Sequence, residues 1–214
     1  MSTPTRTGRP KLTLVGTPPS FDAAVAALMG DRPDQAISMF AARVLADPTD
    51  WSSRVNHAFA LYHADRWPQA VDAFKKLIPE VGPAHLHAGP MMFSIGYCLL
   101  QLDNPWASLV STTTFLDYSN ERHPLYADSL TNTACAWEQL GAVAEATTLR
   151  GTLELRADPA IDATGRKLIR RLWSRRQVIA TSHRILGLSA KPRPAPRRRS
   201  WTTSDSRSSR PPGR

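Results

Sequence analysis

Apolar and polar residues alternate with a helical period through most of residues 21–159. "FDAAVAALMG" is followed by the turn "GDRP" and then by "DQAISMF", and alanine and leucine in both segments favour helix. Gly30 closes the first predicted helix. Pro33 opens the second, where the missing N–H of proline costs nothing. Since Asp47 and Pro48 end the second helix, the pattern predicts one helix pair over residues 21–48.

The same unit recurs three times along the chain. The later copies begin at "WSSRVNHAFALYHA", "MMFSIGYCLLQ" and "LYADSLTNTACAWEQ", and each is followed by a turn and a second amphipathic segment. Two closely packed helices need a small residue where they cross, and a large apolar residue four positions later fills the gap to the next unit. The crossing residues are predicted to be Ala36, Ala70, Ala107 and Ala146, separated by 34, 37 and 39 residues, with Phe40 and Phe74 as the large residues of the first two units. One pair cannot bury its apolar face alone, so the pairs should stack.

These units resemble tetratricopeptide repeats, over about three and a half to four copies between residues 21 and 159. The resemblance implies an all-α solenoid, wound as a right-handed superhelix over residues 21–187. A generic helical bundle is the alternative that the periodicity alone leaves open. We expect a disordered segment at 1–20, the repeats at 21–159, an amphipathic capping helix at 160–189 and a disordered tail rich in Arg, Pro and Ser at 190–214.

The resemblance also implies a binding surface. In that family the first helices of the pairs line a concave groove that holds a peptide or a helix. The matching positions here are Asn56, Phe59, Tyr62 and His63 in the second unit, Ser94, Tyr97 and Gln101 in the third, and Asn132, Cys135 and Gln139 in the fourth. An asparagine amide offers a donor and an acceptor to a ligand backbone, although each asparagine could equally be a solvated polar residue. No lysine stands at these positions, which disfavours a ligand held by its C-terminal carboxylate.

Charge is divided unevenly along the chain. Residues 21–165 carry nine basic and seventeen acidic groups, a net charge of −8, whereas residues 166–214 carry fifteen basic groups and one acid, a net charge of +14. The segment "GRKLIRRLWSRRQVIATSHRILGL" reads as one cationic amphipathic helix. A weak contact with nucleic acid or another anionic surface would use Arg170, Arg171, Arg175, Arg176, Arg197, Arg198 and Arg199.

Catalytic signatures are scarce in the sequence. It contains no phosphate-binding glycine loop and no serine nucleophile elbow, and His85, His87 and His123 lack the spacing of a metal site. We therefore expect no enzyme, no cofactor and no metal. Two cysteines and the absence of a long apolar run favour a cytoplasmic protein without a membrane span.

These observations predict a non-catalytic protein-interaction module that holds a peptide or helix of a partner protein. One alternative is a chaperone similar to the small bacterial ones that hold hydrophobic translocators of type III secretion, which the arginine-rich tail does not match. A nucleic-acid-associated protein acting through its basic tail is the other. The sequence leaves a homodimer open.

Overall fold

The computed structural model describes residues 17–81, 87–164 and 173–187 of the 214-residue chain. These residues form an all-α fold without strands, as the sequence predicts. The helices are α1 (Phe21–Met29), α2 (Pro33–Ala46), α3 (Trp51–His63), α4 (Trp67–Val81), α5 (Ala88–Gln101), α6 (Pro105–Tyr118), α7 (Tyr126–Gln139), α8 (Val143–Ala157) and α9 (Arg175–Ile185).

Four helix pairs share one turn geometry. A three-residue turn joins α1 to α2, α3 to α4, α5 to α6 and α7 to α8. The middle residue of each turn has a positive φ: Asp31 (55°), Asp65 (57°), Asp103 (53°) and Gly141 (84°). The next N–H donates to the carbonyl oxygen five residues earlier at 2.8–3.0 Å, which is the longer hydrogen bond of a Schellman motif. These four middle residues, the turn residues, fix a common register.

Small residues occupy the crossings on both helices of each pair. Seven positions before the turn residue stand Ala24, Ala58, Gly96 and Ala134, and five positions after it stand Ala36, Ala70, Ser108 and Ala146. The predicted crossing residue Ala107 is therefore wrong by one position, because Ser108 is the fully buried residue and Ala107 is only half-buried. The turn residues are separated by 34, 38 and 38 positions.

The helices pack in chain order. Each of α1 to α7 contacts the next helix in the chain, α1 also contacts α3, and α5 also contacts α7. The buried apolar residues form three clusters that follow the chain, one around α1 and α2, one around α3 to α5, and one from α5 to α9. Among the first helices of the pairs, α1 thus lies against α3 and α5 against α7, and the rings of Tyr62 on α3 and Tyr97 on α5 meet at 5.6 Å.

The predicted C-terminal helix is interrupted at Trp173 and Ser174. Ser174 has an extended backbone, and its hydroxyl and the Gln177 side chain form a capping box, so a helix starts at Arg175 instead of running through Trp173. α9 packs on α6 and α7, and its buried Ser182 accepts a hydrogen bond of 3.1 Å from Trp137 Nε1. Residues 165–172 of the predicted helix, most of the 1–20 segment and the tail from 190 lie outside the described residues.

Candidate functional site

The structure places the predicted groove residues at matched positions on the first helices. They stand nine, six, three or two residues before the turn residue of their own pair: Asn56, Ser94 and Asn132 at nine, Phe59, Tyr97 and Cys135 at six, Tyr62 at three, and His63, Gln101 and Gln139 at two. We call this set of matched positions on the first helices the first-helix face.

Three aromatic rings meet on this face. The ring centroids of Tyr62, Trp67 and Tyr97 lie 5.6–5.8 Å from one another, in tilted and edge-to-face arrangements that aromatic pairs favour. All three side chains are only partly buried. Tyr62 and Tyr97 come from the first helices α3 and α5, whereas Trp67 begins α4 and was not among the predicted groove residues. We call these three residues the aromatic patch.

The charge around the patch is negative. Burial raises the pKa of Tyr62 to about 12, and the neighbouring groups that add to the rise are Tyr97, Cys98, Asp128 and Asp65. Asp128 belongs to α7, so the charge of a residue on α7 acts on Tyr62 of α3. Both Asp65 and Asp128 are exposed, and neither forms an ion pair with another residue in the described ranges.

The two matched asparagines differ in their contacts. Asn56 is half-buried, and its Nδ2 donates to the Ser52 carbonyl oxygen of its own helix at 2.8 Å. Asn132 is only 8% exposed, and its Nδ2 finds no hydrogen-bond partner in the part of the chain that the structure describes. The Asn132 nitrogen is also sealed from solvent, so its side chain would have to rotate before it could meet a ligand.

The remaining groove residues contribute to packing or to the rim. Phe59 packs edge-to-face on Phe74 at 5.0 Å, and Ser94 is buried. His63, Gln101 and Gln139 are exposed.

The cysteines differ in surroundings. Cys135 is half-buried, and Arg150 donates to its sulfur at 3.5 Å while also binding Glu138. Cys98 is buried, and burial raises the pKa of its thiol to about 12, which makes it a poor nucleophile.

The described basic residues of the predicted anionic surface have different roles. Arg175 donates to the carbonyl oxygen of Ser119 and thereby joins α9 to the end of α6. Arg176 is exposed. Arg170, Arg171, Arg197, Arg198 and Arg199 lie outside the described residues.

A cavity of about 430 Å³ lies between α7 and α8, and sequence reasoning missed it. Tyr126, His123, Leu153 and Arg156 are among the residues that line it. The Tyr126 hydroxyl is sealed from solvent without a hydrogen-bond partner in the described ranges, and one Arg156 nitrogen donates to the carbonyl oxygen of Trp173 at 2.9 Å. No sequence motif marks this cavity, because its walls come from a loop and two helices that meet only in the fold.

Within residues 17–81, 87–164 and 173–187, no group of His, Cys, Asp and Glu could hold a metal ion. None of the helices in these ranges is long and apolar enough to cross a membrane.

Among known proteins, no family model, no curated protein and no solved structure matches the chain significantly.

Proposed function

We propose that this protein is a non-catalytic interaction module of the tetratricopeptide type, which holds a peptide or helix of a partner protein on its first-helix face. The observation that carries the proposal is the aromatic patch, where partly exposed rings of Tyr62, Trp67 and Tyr97 meet across two neighbouring helix pairs. Aromatic side chains supply large contact area at little conformational cost, so they are enriched in protein-binding surfaces.

The repeated turn and crossing geometry supports a solenoid. All four pairs have small residues at both crossing positions and a turn residue with a positive φ. Because the pairs share this geometry, each pair would be rotated by a similar angle relative to the pair before it. We propose that this rotation produces a right-handed superhelix with the first-helix face on its concave side. A concave face contacts an extended or helical ligand over several units at once.

Asn132 is proposed to bind the ligand backbone. Its amide nitrogen is sealed from solvent and unpaired among the described residues, so rotation of the side chain toward a peptide carbonyl oxygen would gain a hydrogen bond without breaking one. Asn56 would first have to release the Ser52 carbonyl oxygen. We therefore assign the larger share of binding to Asn132.

A peptide-library selection on the full-length chain tests the proposal. We expect a selected peptide to bind about tenfold more weakly to Asn132→Ala, because one partner of a buried hydrogen bond is removed. Asn56→Ala should change the affinity less. The matched controls are Trp106→Ala and Tyr118→Ala, which remove exposed aromatic rings from the second helix α6 and should leave binding unchanged.

Two results would contradict the proposal. Selected peptides whose affinity depends on Trp106 or Tyr118 but not on Asn132 would place the binding surface on the second helices. Failure of every library to yield a specific peptide would argue against an interaction module. The nucleic-acid alternative depends on residues 190–214, and it predicts binding that falls steeply with salt.

A further inference from the structure

We propose that residues 191–199, "KPRPAPRRR", dock on the aromatic patch of the same molecule and cover the first-helix face when no partner is bound. The proposal uses the surface of the proposed function, and it adds an occupant and a regulatory consequence. It rests on the charge at the patch, on the chemistry of the rings and on the place where the tail leaves the fold.

Charge complementarity is the first support. Residues 17–164 carry nine basic and seventeen acidic groups, whereas residues 188–214 carry eight basic groups and one acid. At the patch the imbalance is local, because Asp65 and Asp128 are exposed acids without an ion-pair partner in the described ranges. A cationic segment would relieve it.

The chemistry of the rings is the second support. Guanidinium and ammonium groups bind the faces of Trp and Tyr, and this attraction grows when acidic groups lie nearby. Pro192, Pro194 and Pro196 alternate with other residues, and proline favours the extended polyproline conformation that aromatic-lined grooves recognise. The segment thus combines the two features that a patch of Tyr62, Trp67 and Tyr97 can bind.

The attachment point of the tail is the third support. Ser182 bonds Trp137 near the end of α7, and Arg184 pairs with Glu145 in the first turn of α8 at 2.7 Å. The chain therefore leaves α9 at the edge that carries the turns of the helix pairs. The patch lies near this edge, since Tyr62 and Trp67 flank the α3–α4 turn.

The distances are compatible with docking in cis. Packed neighbouring helices are roughly 8–10 Å apart, so α3 lies about 20 Å from α7 along the row of first helices. The chain from residue 187 to 197 can span about 33 Å when extended. Such a short tether gives the segment an effective concentration in the millimolar range, which makes even a weak contact competitive.

Photocrosslinking in the full-length chain tests the proposal without any partner. Tyr97→p-benzoylphenylalanine places a photoreactive group in the patch, and the same change at Tyr118, which is 53% exposed on α6, is the matched control. We expect a crosslink from position 97 to residues 191–199 within a species of monomer mass, and none from position 118. Asp65→Asn with Asp128→Asn should lower the yield about tenfold, as should high salt.

Three outcomes would overturn the proposal: no crosslink to residues 191–199 from position 97, equal yields from positions 97 and 118, or a crosslink found only in a dimer, which would assign the tail to a second copy. The experiment contains no partner, so a failed peptide selection would leave its result intact. Conversely, a failed crosslink would leave peptide binding to the first-helix face untouched.

A second readout concerns regulation. If the tail covers the patch, replacing Arg197, Arg198 and Arg199 with serine should tighten the binding of a selected peptide severalfold. Unchanged or weaker binding in this variant would mean that the tail does not compete for the face.

Discussion

The hydroxyl of Ser108 donates a hydrogen bond of 2.7 Å to the carbonyl oxygen of Gly96, across the crossing of α5 and α6. Both residues are buried, and a serine takes the place that alanine holds in the other three pairs. The backbones approach closely here because Gly96 has no side chain. A Cβ added to Gly96 would come within 2.7 Å of Thr112 Cγ2.

Gly96→Ala should therefore destabilise the protein by about 1–3 kcal/mol, as overpacking of a tight crossing does. Thr112→Ser removes the opposing methyl group and keeps the hydroxyl, so it should rescue most of the loss when combined with Gly96→Ala. Chemical denaturation of the four proteins of this cycle gives the measurement. The control is Gly151→Ala in α8, where a Cβ meets nothing within 4 Å, and it should stabilise slightly. Equal stability of Gly96→Ala and wild type would show that the crossing is looser than described.

The same reasoning distinguishes the crossing residues from their neighbours. Ala70 and Ala146 are buried at their crossings, so Ala70→Leu and Ala146→Leu should each lower the melting temperature. In the third pair, Ser108→Leu should lower it more than Ala107→Leu, because Ala107 is only half-buried. The opposite order in the third pair would restore the register in which Ala107 is the crossing residue.

A glycine should stabilise the protein at a turn position where a non-glycine residue has a positive φ. Asp65 holds a φ of 57°, which costs a non-glycine residue energy, and glycine adopts it freely. Asp65→Gly should thus raise the free energy of unfolding by roughly 0.5–1 kcal/mol. Gly141→Ala, at a φ of 84° with open space around it, should lower that free energy by a similar amount. Denaturant titration measures both, and a loss of stability in Asp65→Gly would mean that its carboxylate does more than occupy the turn.

Acid should weaken the joint between the first two pairs. The Ser53 hydroxyl and N–H donate to Asp50, Arg43 pairs with it at 2.9 Å, and these contacts hold the pKa of Asp50 below its ordinary value. A carboxyl whose pKa is lowered by folding adds stability above its unfolded pKa of about 4, and this stability is lost as pH falls through the folded value.

We therefore expect the free energy of unfolding to fall below about pH 4, and to fall less in Asp50→Asn. Ser53→Ala removes the hydroxyl donor and should raise the pKa of Asp50, which an NMR titration of its carboxyl carbon measures. An unchanged pKa in Ser53→Ala would show that Arg43 and the backbone N–H dominate. Asp50→Ala should cost about 1 kcal/mol at neutral pH, because Asp50 caps α3.

The helix pairs were predictable because local chemistry and period agree in them. Proline is the first residue of α2 and α6, and a small residue recurs at the crossing of each helix pair. The third pair failed by one residue since Ala107 and Ser108 are both small, and only the packed structure shows which one faces Gly96. The start of α9 was missed although Ser174 and Gln177 have the spacing of a capping box, because the apolar period continues across that boundary.

For the candidate site, the sequence register predicts where the residues stand along the first helices, but it does not predict their contacts. Tyr62 stands three residues before its turn residue and Tyr97 six residues before its own, and these two positions lie on the same side of a helix. Trp67 joins them from α4 through the three-dimensional path of the turn. Whether Asn56 bonds its own helix while Asn132 stays unpaired depends on side-chain rotamers and neighbours, which no spacing encodes.

Hydroxyl-radical footprinting of the full-length chain with a selected peptide tests the central claim most directly. The method measures oxidation of aromatic side chains, and the protein offers partly exposed aromatic residues at the aromatic patch and exposed ones on α6. Peptide binding should protect Tyr62, Trp67 and Tyr97 while Trp106 and Tyr118 stay as reactive as in the free protein. Protection of Trp106 and Tyr118 with no change at the aromatic patch would contradict the account.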